Sequence, residues 1–319
     1  MQKFSPKLKI FLCSALILSA LAIILFTLSM FVAYDSGPNY FKPSVIVSIA
    51  NAVAVISIII FLGVFLFIPK GALDGATPIT LPVIIPSAIC TLVFAAIGIV
   101  LLLCASKSAD LNKSVFTGIA KGKLTGIAGC FCIISAAYFL ANCFITPDGN
   151  KSKHAFVGFS LPVSATLLIA ISYFDTTVSM NAPVKAMFHL SLISFMLWFL
   201  YELRAMIGKP MPRAYFAFGL CTMMLSGIAS LPFIVYAIGG GLSSPVYPTY
   251  LLYNTVSLAI FVYSAVRIII FVCARDLLER ISEQTEEIEF ESEEDLPEEE
   301  NSEVENIIED REEENNDET

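Results

Sequence analysis

Two oppositely charged side chains stand out in residues 1–275 because nearly everything around them is apolar. Glu202, in Tyr201-Glu202-Leu203-Arg204, closes one apolar run, and Arg267 lies six residues before Cys273, the end of another. At 1.5 Å rise per residue, Arg267 stands roughly 9 Å inside that end if the run is helical. A carboxylate and a guanidinium at matching depth can form an ion pair that offsets much of the cost of taking each out of water. The competing arrangement has Arg267 extending along its own helix to reach polar surroundings alone. Asp175 ends a further run and His189 opens the next, near enough on adjacent helices to pair and titrate together. The bland alternative there is a capped turn and a satisfied histidine. Asn254, with Asn51 and Asn142, adds neutral groups that hydrogen-bond between helices.

Beyond these groups the chemistry thins out. The sequence has no H-E-x-x-H, no P-loop and no G-x-G-x-x-G, so metalloprotease, nucleotide and dinucleotide chemistry lack their minimal residues. The expectation is a protein that is not an enzyme and needs no metal or cofactor. Eight cysteines all fall within or beside apolar runs and read as small hydrophobes. Cys130 and Cys132 point to different faces of a helix and do not make a C-x-x-C motif.

The elements that must position the charged groups follow from composition. A chain that is 56% hydrophobic and 15% charged lies far from a soluble domain, where about 25% charged is usual. Apolar runs fall at about 8–34, 45–68, 81–104, 124–145, 155–174, 186–203, 214–238 and 250–273, each long enough to span a bilayer. Lipid offers no partner for backbone groups, so each run predicts a closed helix. The fold class is therefore all-α, a polytopic membrane bundle of about eight transmembrane helices. The first run exceeds the roughly 7–15 apolar residues of a signal peptide and is read as retained.

Eight crossings put both termini on one side. Placing that side in the cytoplasm leaves eleven loop cations inside and six outside, the outer set being Lys42, Lys107, Lys113, Lys121, Lys123 and Lys185. The loop 105–123 dissents with four of those lysines, and reads either as a short interfacial helix or as a miscounted crossing. Pro162 lies in the fifth run and Pro232 deep in the seventh, where each removes a backbone hydrogen bond and bends the helix. Such bends line solute sites in some transporters, although proline is generally common in membrane helices. Gly122, Gly126 and Gly129, with Thr125 and Ala128, form a small-residue face for close helix packing. No internal repeat is evident.

Gly158-Phe159-Ser160 resembles the nucleophile segment of rhomboid-type intramembrane proteases, with His189 on the following run as its base. The threading places Ser160 and His189 near opposite ends of adjacent helices, and Leu161-Pro162 departs from that family's second glycine. A nucleophile and base must meet at about 2.6–3.2 Å, so the resemblance does not extend to the chemistry.

Residues 276–319 are a different polymer. They hold 22 of the 28 carboxylates against two arginines, while residues 1–275 carry an excess of eleven positive charges. Residues 276–290 read as a cytoplasmic extension of the last helix, and 291–319 as a disordered acidic tail with Val304, Ile307 and Ile308 as its apolar island. Anionic lipids repel such a tail and nucleic acid is excluded by charge, which leaves basic cytoplasmic proteins as partners, or no specific ligand at all.

The expected location is a cell membrane, taken as the bacterial cytoplasmic membrane in the absence of a eukaryotic targeting signal. Two roles fit. One is a non-catalytic scaffold, sensor or assembly subunit whose tail recruits partners. The other is a permease or facilitator for a small, largely neutral solute, with Glu202, Arg267 and Asn254 as polar lining.

Overall fold

The apolar runs do form helices. The computed structural model describes residues 5–35, 40–63, 83–106, 122–144, 151–175, 178–179, 182–241 and 251–273. Within these, α1 is Ser5–Ala33, α2 Val45–Leu62, α3 Ile84–Ala105, α4 Lys123–Asn142, α5 Lys151–Gly158, α6 Ser160–Phe174, α7 Pro183–Met206 and α8 Pro212–Tyr236, the last followed by a π-helical turn, Ala237–Gly241. The helix Leu251–Cys273 is α9. Eight segments are long and apolar enough to cross a membrane, α5 and α6 together supplying one of them as His154–Phe174. The chain is a multi-pass membrane protein. The interfacial helix expected in the loop 105–123 and the acidic tail fall outside the described residues, apart from Ala105, Ser106, Gly122 and Lys123.

Local chemistry sets where helices start and stop. Pro162 has no N–H, and its ring crowds the carbonyl four residues back, that of Gly158. The fifth span breaks there, between α5 and α6. Proline opens both α7 and α8 at Pro183 and Pro212, where the missing N–H costs nothing. Between those helices Gly208 adopts φ +84°. The Lys209 N–H returns to Arg204 O and the Gly208 N–H to Ala205 O, both at 3.1 Å. This is a Schellman closure, whose left-handed residue favours glycine. Ser44 caps α2 by accepting from the Val47 N–H. Between α1 and α2 a two-stranded antiparallel ribbon, β1 (Tyr34–Asp35) with β2 (Tyr40–Phe41), pairs Tyr34 with Phe41. An Asp35–Lys42 ion pair of 3.1 Å lies beside it.

Packing is tightest where side chains are smallest. A Cβ on Gly98 of α3 would stand 2.9 Å from Gly129 O of α4, and one on Gly129 would stand 2.9 Å from Gly98 O. The backbones touch, as expected of a small-residue face in lipid. The face predicted from Gly122, Gly126 and Gly129 is graded: Gly126 meets Ala105 at ordinary contact distance and Gly122 meets nothing. α8 is the most enclosed span, while α1 and α2 keep most of their surface outward. Along α7 the residues Phe188, Ser191, Phe195, Trp198 and Glu202 recur at helical spacing and are all buried, which turns this stripe toward α9.

Candidate functional site

α7 and α9 run parallel in fixed register. Phe188 stacks on Tyr253 at 4.5 Å between ring centroids, Trp198 meets Tyr263 at 5.9 Å, and Glu202 pairs with Arg267. In each contact the α9 residue is 65 positions after its α7 partner (253 less 188, 263 less 198, 267 less 202). A constant difference is the signature of two helices pointing the same way without slippage.

At one end of this seam Arg267 Nη2 lies 3.2 Å from Glu202 Oε1, with side chains 1% and 0% exposed. Of the two arrangements open to Arg267 in the sequence, the ion pair is the one formed. Tyr263, one turn before Arg267, organises it. Its hydroxyl donates to Glu202 Oε1 at 2.9 Å. The Tyr263 hydroxyl oxygen in turn accepts from Arg267 Nε and from Asn142 Nδ2 of α4, each at 3.2 Å. The guanidinium carbon lies 5.5 Å from the Tyr263 ring centroid. Aromatic rings enclose the group: Trp198, Tyr215, Phe139 and Phe271 all pack against one another or against Tyr263. Tyr138 stacks on His154 at 4.3 Å. Glu202 Oε2, Trp198 Nε1 and the Tyr215 hydroxyl are buried with no hydrogen-bond partner among the described residues.

At the other end of the bundle, where α6 finishes and α7 begins, the capped turn and satisfied histidine are the arrangement formed. Asp175 does not pair with His189. Asp175 Oδ2 accepts from the Tyr253 hydroxyl at 2.9 Å, and the imidazole of His189 hydrogen-bonds Ser172. The reason is vertical position. Asp175 lies just past the end of α6, whereas His189 is more than a turn into α7 and so meets α6 a turn deeper. The cation beside Asp175 is Lys185, which the charge count had placed in an outer loop. It is 1% exposed, within the first turn of α7. Its ammonium donates to the backbone oxygens of Asp175 at 2.9 Å and of Tyr173 and Val178 at 3.4 Å. Unpaired carbonyls at a helix C-terminus carry partial negative charge, and a cation there satisfies them.

Asn254 is buried but does not join Glu202 and Arg267. It lies thirteen residues before Arg267 on the same helix, about 20 Å along the axis, and level with His189 by the seam's register. The five residues singled out in the sequence therefore divide between two places at opposite ends of the α7–α9 seam. Ser160 is also away from any histidine contact: its hydroxyl meets that of Ser135, which donates to Ser164. Among the described residues no three His, Cys, Asp or Glu side chains converge so as to hold a metal ion.

Tyr263 and Lys185 are the residues the sequence reading overlooked. Tyr263 was detectable from its i, i+4 spacing to Arg267; Lys185 looked like a loop residue because a turn and a proline precede it. Comparison of the chain with protein-family models, curated proteins and solved structures finds no match to any of them.

Proposed function

We propose that the protein is a non-enzymatic scaffold or sensor of a bacterial cytoplasmic membrane, whose bundle fixes its last helix and whose acidic tail recruits a basic cytoplasmic partner. The observation that carries this reading is the Glu202–Arg267 pair. The charges at this depth bond to each other and to Tyr263, fully enclosed by aromatic rings, rather than facing an open path. A buried ion pair is seldom the most stable filling for a core, but it fixes register between the elements it joins. α9, which it holds, is the last described helix, and residues 276–319 follow it in sequence.

Charge distribution supports both ends facing the cytoplasm. With Lys185 buried rather than in a loop, the outer set falls from six cations to five against eleven inside. The facilitator for a small neutral solute is the second reading, favoured by the break at Gly158–Phe159 and by Pro232 inside α8. The cavity beside Pro232, between Met30, Met187 and Phe233, holds about 20 Å³, room for a single water. Deletion of residues 291–319 separates the two. In-cell crosslinking followed by pull-down should give partners with the full chain and none with the truncated one, and neither chain should carry solute in proteoliposomes. Equal crosslinking by both chains overturns recruitment by the tail, and solute flux installs the facilitator.

A further inference from the structure

Hydroxyl groups in this bundle follow a habit. Ser19, Thr27, Ser29 and Ser57 each donate to the carbonyl four residues back, as do Thr222, Ser226 and Ser230 along α8. A membrane helix offers few other acceptors, so this is the usual resting place for such a side chain. Ser87 of α3, alone on its helix, breaks the habit, and so do Ser191 of α7 and Ser257 of α9, which lie on facing helices. Both of these last are 0% exposed, and neither hydroxyl has a hydrogen-bond partner among the described residues. The seam's register, 65 residues, places Ser191 level with position 256, so the two serines face each other at one depth. Ser191 lies between Phe188 and Phe195 on the stripe turned toward α9, and Ser257 lies one turn after Tyr253 on the stripe turned back. Two buried hydroxyls at nearly one depth of the seam, neither bonded within its own helix nor to the other, call for a shared partner.

We infer a water-binding site here: Ser191 Oγ and Ser257 Oγ hold an occluded water in the α7–α9 seam, about one turn in from its Lys185–Asp175–Tyr253 end and on the way to the Glu202–Arg267 latch. Water supplies both a donor and an acceptor, which two hydroxyls free to rotate require. Leaving a buried hydroxyl without any partner costs more than immobilising one water. The amide of Asn254, one turn from Ser257, stands on the same stretch of α9. A bridged joint of this kind adds a polar link between the helices one turn from the Phe188–Tyr253 stack. The site rests on the seam's geometry and is independent of what the tail recruits.

X-ray radiolytic footprinting of the full chain in lipid nanodiscs reads bound water directly, because radicals form from the water itself and oxidise adjacent side chains. Phe195, one turn from Ser191, and Phe94, on α3, are matched in type and nearly in burial at 0% and 1% exposed. Phe195 should oxidise severalfold faster than Phe94. The double variant Ser191→Ala/Ser257→Ala should bring Phe195 down to the Phe94 rate, whereas Thr222→Ala, whose hydroxyl is bonded within its own helix, should leave it unchanged. Equal rates for Phe195 and Phe94 in the unaltered protein overturn the site without any variant having to fold. A Phe195 rate that persists in the double variant overturns it too.

Discussion

Tyr263 accepts from Arg267 Nε at 3.2 Å while donating to Glu202 Oε1 at 2.9 Å, so one phenol bonds to both members of a buried ion pair. With Asn142 as a second donor, that oxygen joins α4, α7 and α9. Its loss is felt by three partners at once. Tyr263→Phe should lower stability by about 1–3 kcal/mol, the cost of buried polar groups left without partners. Adding Asn142→Ala to Tyr263→Phe should cost less than Asn142→Ala alone, since neighbours in one network are not additive. Thermal unfolding in detergent of the two single variants and the double closes the cycle, and strict additivity would show that the bonds are independent.

Removing one charge is worse than removing both. Glu202→Gln or Arg267→Met should each destabilise by about 3–5 kcal/mol, because the remaining group is buried without its counterion. Glu202→Leu combined with Arg267→Met should recover most of that loss. The same unfolding measurement decides. A double variant as unstable as the worse single one would mean that the pair's geometry is needed for the bundle to close at all.

The α3–α4 crossing predicts a graded series. Gly129→Val forces a side chain against the Gly98 carbonyl and should cost at least about 1–3 kcal/mol, the range for overpacked interiors. Gly126→Ala should be mild, and Gly122→Ala should be silent in the same assay, as nothing lies within 4 Å of the added carbon. Equal tolerance at Gly129 and Gly122 would contradict the contact between backbones.

Lys185 offers a chemical test of its burial. An amine-reactive reagent added to the protein in nanodiscs should modify Lys42, 63% exposed, and spare Lys185. Lys185→Met should destabilise by about 1–3 kcal/mol by leaving the carbonyls of Tyr173, Asp175 and Val178 without their donor. Comparable modification of both lysines would put Lys185 back in a solvated loop.

How much was legible in advance varies by residue for identifiable reasons. The matching depth of Glu202 and Arg267 was readable because each lies a countable distance from a run's end, while whether they pair stayed open in the sequence and is decided by the two helices lying side by side. Between Asp175 and His189 the same arithmetic left both a pair and a capped turn open, because the path of the turn between them is not fixed by counting, and the capped turn is the one formed. Pro162 and Pro232 lack the same N–H, yet the chain breaks before the first and α8 runs on through the second, so the residue marks where a break can fall and the packing around it decides whether it does. Gly98 carried no mark in the sequence, because a glycine's partner across a helix crossing depends on which helices meet.

The amino-acid order by itself determined that the chain forms membrane-spanning helices, since backbone groups in lipid must bond within their own segment and the apolar runs have the length to do so. It also determined where charge could be afforded along each helix. Only the tertiary structure decided which helices became neighbours: that α7 and α9 lie side by side with a constant offset, that Tyr263 stands between two charges, and that Lys185 closes the end of α6. Lateral neighbours in a bundle are chosen by the fit of side chains across interfaces, and that fit is a property of pairs of surfaces, written in no single helix.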